Sequence, residues 1–245
     1  MPEINNKLLL ICGVSGTGKS FSFKDLPDQQ NWWYLNAEAG KALPYRNKFS
    51  TYVITDPYEV ISALEQGTND SECKGIIVDS LTFLMDMFET NYVLAPGADS
   101  RKAWGLYQQY FKTMLQNKVP LFNKPVFFTA HVMETQDEKT LDWRTSVPIK
   151  GALKGNGVEA YFNNIIYAKK MSIKKLEKYI EGNELLHITD EEKELGFKHV
   201  FQTRLTAETI GERIRGPYDM FSKQETFIDN DVSQVLKRID EYYAN

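Results

Sequence analysis

The segment GVSGTGKS, Gly13 to Ser20, spaces glycines, a lysine and a hydroxyl as G-x-x-x-x-G-K-[ST]. Each residue type has a physical task there. Glycines let the backbone curl so that successive N–H groups face phosphate oxygens. A helix opening after the loop would present its N-terminus, where the backbone dipole favours an anion. Lys19 would neutralise charge on β- and γ-phosphates, and the Ser20 hydroxyl would ligate Mg²⁺. The candidate nucleotide contacts are therefore Gly13, Val14, Ser15, Gly16, Thr17, Gly18, Lys19, Ser20 and Phe21, and the expected ligands are ATP and Mg²⁺. The competing reading, a glycine-rich strand-to-helix turn with no ligand, is disfavoured by the apolar strand before it and the expected helix after it.

A second element is GIIVDS, Gly75 to Ser80, an apolar strand that ends in an acid. Asp79 would hold Mg²⁺ with Ser20, directly or through water. Capping of the next helix is the alternative role for such an aspartate.

These residues need a scaffold that brings strand ends together. Apolar runs at Leu8–Cys12, Trp32–Leu35, Thr51–Ile54, Gly75–Val78, Val126–Ala130, Ile165–Ala168 and His199–Leu205 read as strands. Helical periodicity covers Pro57–Gln66, Arg101–Asn117 and a C-terminal stretch from Val232 to Tyr243. The alternation predicts an α/β fold: a P-loop core with a mostly parallel central sheet flanked by helices, as a single domain. Residues 1–225 would form the core and residues 226–245 a C-terminal amphipathic helix packed on it. Tyr92–Ser100 and Glu134–Gly157 fit no element, and the second is long for a loop in a compact domain.

Composition narrows the partners. The chain has 245 residues, 42% hydrophobic and 25% charged, which is ordinary for a globular protein. Its net charge of −4 means that any nucleic-acid contact must use a local basic surface. Cys12 and Cys73 form no metal-ligand pattern, and a reducing, cytoplasmic location is expected. No apolar run is long enough to span a membrane, so no membrane partner is expected.

The order of NAEAG (Asn36–Gly40), GIIVDSLTFL (Gly75–Leu84) and VFFTAH (Val126–His131) after the P-loop resembles the RecA family of recombinases. The similarity is strongest to its short phage-encoded members, ATP-dependent single-strand annealing or recombination proteins. It extends from about Lys7 to Leu205. What it implies is a RecA-like ATPase core in which Glu38 activates the attacking water, with Lys19 and His131 as the other catalytic groups. His131 stands where the family commonly has a Gln that senses the γ-phosphate. The resemblance also implies DNA-binding loops at about Tyr92–Trp104 and Glu134–Gly157. Candidate contacts to single-stranded DNA are Arg101, Lys102, Trp104, Trp143, Arg144, Lys150 and Lys154. The segment from Gln136 to Lys154 carries a net charge of only +1, whereas Ile165 to Lys178 carries +4. Trp104 is equally readable as the first core residue of its helix. Lys169 or Lys170 could act in trans on a neighbour's γ-phosphate, with Arg204, Arg213 and Arg215 as competitors. A homo-oligomer, filament or ring, and a single-strand-binding protein are the implied partners. A P-loop small-molecule kinase and an ATP-switched helicase loader are the alternative functions.

Overall fold

Strand residues that are apolar on both faces dictate a sheet buried on both faces. Leu8, Leu10 and Cys12 point to one side of the first strand, and Leu9 and Ile11 to the other; all are buried. The computed structural model describes residues 4–136, 138, 141, 143–151 and 157–244. Its strands and helices, in chain order, are β1 (Leu8–Gly13), β2 (Trp32–Asn36), β3 (Ser50–Val53), α1 (Tyr58–Asn69), β4 (Gly75–Asp79), α2 (Leu81–Phe88) and α3 (Ser100–Lys112). There follow α4 (Val119–Phe122), β5 (Val126–His131), β6 (Met133–Gln136), β7 (Trp143–Ser146), β8 (Asn164–Ser172), α5 (Ile173–Leu176), α6 (Asp190–Leu195), β9 (Phe197–Gln202), β10 (Phe227–Asp229) and α7 (Val232–Tyr243).

The chain is a single α/β domain built on one eight-stranded sheet, ordered β10-β9-β8-β1-β5-β4-β2-β3, with β6 and β7 as a separate hairpin. The run from β3 to β8 is parallel, and β9 and β10 extend it antiparallel. β5 lies between β1 and β4, so His131 pairs beside Gly13. Asn36 pairs beside Asp79. The carboxyl ends of these four strands therefore meet along one rim, where ligands of parallel α/β sheets bind.

One apolar layer packs α1, α2 and α3 on the face lined by Leu10, Ile76 and Phe128. The other packs α7 and the Met220–Phe221 segment over Leu9, Ile77 and Phe127. At the far end of β4, Gly75 admits the Trp32 ring, since a Cβ there would lie 2.4 Å from it.

Several expectations shift. Leu81–Phe88, unassigned from sequence, is a helix whose N-cap is Ser80. The segment from Glu134 contains the β6–β7 hairpin. The helix expected after the P-loop is corrected to a short 3-10 segment, Ser20–Phe23. Pro27 follows closely and supplies no N–H to continue a helix. No helix among the described residues is long and apolar enough to cross a membrane.

Candidate active site

The loop after β1 has the conformation its glycines permit. Gly16 and Gly18 lie at φ +76° and +92°, where a side chain is strained. Gly13 is constrained by space: a Cβ would lie 2.6 Å from Thr17 Oγ1 and 2.7 Å from Ala168 O on β8. The loop is closed on itself by Thr17, whose hydroxyl donates to Val14 O at 2.9 Å. Lys19 Nζ donates to Gly13 O at 2.9 Å and Val14 O at 3.0 Å. Burial pushes the Lys19 ammonium below the ordinary lysine range, opposed in part by Asp79 and Glu38.

Asn36, at the end of β2, makes a local turn that aims Glu38. Its Oδ1 accepts from Glu38 N at 3.0 Å and its Nδ2 donates to Lys41 O at 2.9 Å. Ala39 and Gly40 then take positive φ values, so the chain reverses at once. The Glu38 side chain is 10% exposed, with one oxygen 3.5 Å from His131 Nε2 and the other 3.2 Å from Lys41 Nζ. The hydrogen bond from His131, followed by Lys41, holds its carboxyl down at about 2. On its other side, His131 Nδ1 lies 3.5 Å from Lys19 Nζ. A neutral imidazole protonated on Nε2 satisfies both contacts, so Lys19, His131 and Glu38 form one chain of polar contacts.

Asp79 is buried at the end of β4. One carboxylate oxygen accepts from Tyr34 on β2 and the other from Thr129 on β5. Burial and the Asp79 charge push the Tyr34 phenol far above its ordinary range, so it stays a donor. His131 N donates to Thr82 Oγ1 at 2.8 Å, which ties α2 to the same rim.

These groups line a cavity of about 410 Å³ that also takes in Ser20, Phe21, Lys41 and the Ala42–Pro44 wall. That volume falls in the range of small-molecule sites. Ser20 and Asp79, a hydroxyl and a carboxylate that both line this cavity, are hard oxygen donors of the kind that hold Mg²⁺ together with water and phosphate oxygens. Phe21 is partly exposed and sits edge-on to Tyr45, whose hydroxyl donates to Ser20 O at 3.1 Å.

Neither Tyr34 nor Thr129 stands out as a site residue from the sequence, although a threonine inside VFFTAH is a visible polar residue in a buried strand. The same holds for His199 and Asn230, which come from the antiparallel extension and brace the loop from outside. His199 Nε2 lies 3.3 Å from Gly16 O, and Asn230 Nδ2 donates to Gly18 O at 2.9 Å. Burial keeps the His199 imidazole below its ordinary value, which favours the neutral ring. Those contacts are long-range in sequence, so no local pattern reports them.

The residues expected to touch DNA are dispersed. Arg101 and Lys102 are exposed in the first turn of α3, capped by Asp99. Trp143 is 60% exposed on β7, and the Arg144 side chain stands beside it in sequence on the exposed hairpin. Trp104 is partly buried against the core. It lies edge-on to Tyr107 at 5.3 Å, and a Cβ on Gly151 would come within 3.0 Å of its ring. Lys150 is ion-paired with Glu89, and Lys154 lies outside the described residues. Of the groups expected to act in trans, Lys169 pairs with Glu212 of its own chain at 2.5 Å and Lys170 lies 5.6 Å over Phe197.

A family model described as an AAA domain matches residues 5–200. No curated protein matches the chain.

Proposed function

The chain belongs to the AAA domain family, a P-loop NTPase type of domain, and from that premise we propose that it is an Mg²⁺-dependent ATPase. We further propose that its nucleotide state controls binding of single-stranded DNA, in annealing or recombination of the phage type. In the hydrolysis step Glu38 takes a proton from water. The water oxygen bonds to the γ-phosphorus, and the bond from that phosphorus to the β,γ-bridging oxygen breaks to leave ADP. Ser20 and Asp79 would hold Mg²⁺, which would supply charge neutralisation at the phosphate oxygens. Lys19 would exchange its carbonyl partners at Gly13 and Val14 for phosphate oxygens. That exchange removes its contact with His131 and alters what His131 offers to Glu38.

One observation carries the coupling. His131, which touches both Lys19 and Glu38, is separated by Val132 alone from the exposed β6–β7 hairpin that bears Trp143 and Arg144. A change at the γ-phosphate position thus reaches the hairpin two residues on, and through its pairing of Thr135 with Arg144 and Gln136 with Trp143 a cation-and-aromatic surface of the kind single strands bind. The test measures ATP hydrolysis with and without single-stranded DNA, and DNA binding with and without a non-hydrolysable ATP analogue. The expected result is stimulation in the first assay and tighter binding in the second. Hydrolysis indifferent to DNA, with DNA binding indifferent to nucleotide, would leave an ATPase and remove the coupling.

A further inference from the structure

A second cavity of about 420 Å³ opens at the amino end of β8, away from the P-loop rim. Asn164 and Ala168, whose carbonyl abuts Gly13, are four residue steps apart on β8, so the two sites are about 13 Å apart along the strand. The floor is apolar, formed by Ile166, Met220, Phe221 and Val235. Its mouth carries Arg204, Arg215 and Tyr218.

Three features of this cavity ask for a ligand. First, two guanidiniums stand at the mouth with no carboxylate partner among the described residues. Arg204 donates to the carbonyls of Tyr218 and Phe221 at 3.1 and 2.7 Å, and Arg215 to that of Phe162 at 3.4 Å. Each contact uses one nitrogen of a group that carries five N–H donors. Second, Tyr218 is 87% exposed, with the Arg204 guanidinium 5.6 Å from its ring centre. A cation behind the ring leaves the opposite face free for a flat group. Third, Asn164 is buried, yet its Oδ1 accepts no hydrogen bond from the described residues. Its Nδ2 is committed to Asn6 O and Leu8 O at 2.9 and 3.3 Å. Oδ1 is left on the side of Gly216, a residue of the cavity wall, whose Cβ would lie 3.8 Å away. A buried acceptor without a donor is destabilising.

We propose that this cavity is a second binding site, which takes a nucleoside monophosphate unit. The phosphate meets Arg204 and Arg215, the base lies against Tyr218 and the apolar floor, and a base N–H donates to Asn164 Oδ1. An anion, a flat apolar body and an N–H donor are the three properties the walls demand together, and a nucleotide has all three. The unit can come from the free nucleotide pool or from the phosphorylated end of a single strand.

The experiment uses the full chain carrying Lys19→Ala, which disables the P-loop site and separates this proposal from the ATPase reading. AMP, CMP, GMP and UMP are titrated singly by saturation-transfer NMR and calorimetry, and a 5′-phosphorylated oligothymidylate is titrated in parallel. At least one probe binds, and Tyr218→Ala or Arg215→Gln, both at exposed positions, weakens it tenfold or more. Binding of the monophosphates alone identifies the free pool as the source, and binding of the oligonucleotide alone identifies a strand end. Tyr218→Ala on the otherwise natural chain leaves basal ATP hydrolysis unchanged. Absence of binding by all five probes overturns the proposal, as does binding that neither substitution weakens in protein of unchanged melting temperature.

Discussion

At the residue scale the site turns on who holds Glu38. His131 and Lys41 depress its carboxyl to about 2, so it is an anion throughout the neutral range, and loosening either contact would make it a stronger base. Glu38→Gln removes the base while keeping the shape. Steady-state hydrolysis should fall about 100-fold or more, with nucleotide affinity measured by calorimetry changing little. Lys19→Ala should instead act on binding, weakening ATP association by about 10- to 100-fold, as expected for loss of a charged hydrogen-bond donor. Linkage adds a pH signature. A carboxyl lowered from 4.5 to about 2 stabilises the fold fully above its ordinary value, and that stabilisation is lost as pH falls from 4.5 toward 2. Melting temperatures recorded between pH 6 and pH 3 should therefore drop less steeply for Glu38→Gln than for the natural chain. Parallel curves would mean that His131 and Lys41 do not hold this carboxylate in solution.

At the element scale the P-loop is held on both sides. β8 closes against Gly13, and the antiparallel strands bring His199 and Asn230 onto Gly16 and Gly18. Asn230→Ala removes one hydrogen bond to Gly18 O, whose other contact, Ser22 N at 3.0 Å, remains. Loss of about 1 kcal/mol of support predicts a KM for ATP raised about fivefold with kcat nearly unchanged. A fall in kcat alone would assign Asn230 some other task. Legibility followed the range of the interactions. β1, β4 and β5 were readable because their apolar runs leave little choice, and glycine or an acid bounds the first two. The P-loop was readable because its chemistry is local. α2 was not assigned, because Phe83 and Met87 add apolar positions that mask the one buried stripe of Leu81, Leu84, Met85 and Phe88. The missing helix after Ser20 reflects Pro27, a local signal that the phosphate motif outweighed. Tyr34, Thr129, His199 and Asn230 enter the site through pairings across the sheet, or contacts over about 180 residues or more for the last two, which composition and spacing do not encode.

At the scale of the whole molecule, charge decides what DNA binding must look like. A chain with a net charge of −4 repels a phosphate backbone at long range, so attraction has to come from a few local cations. On the described part of the loops these are Arg101, Lys102, Arg144 and Lys150, and Lys150 must first give up Glu89. Each phosphate neutralised on a single strand contributes about −0.7 to the slope of log K against log salt. Four contacts per protomer give a slope no steeper than about −3, and retention of the Lys150–Glu89 pair gives about −2. Fluorescence anisotropy with a labelled oligonucleotide short enough for one protomer, titrated between low and physiological salt, reads this directly. Glu89→Gln frees Lys150 and should steepen the slope by roughly 0.7 in the presence of an ATP analogue. A slope already near −6 in the natural chain would need cations beyond these loops. The basic run at Lys169, Lys170, Lys174, Lys175 and Lys178 is the largest reserve the sequence holds. The DNA path would then cross the β8 end of the sheet instead of the β6–β7 hairpin, and His131 would no longer stand between nucleotide and strand.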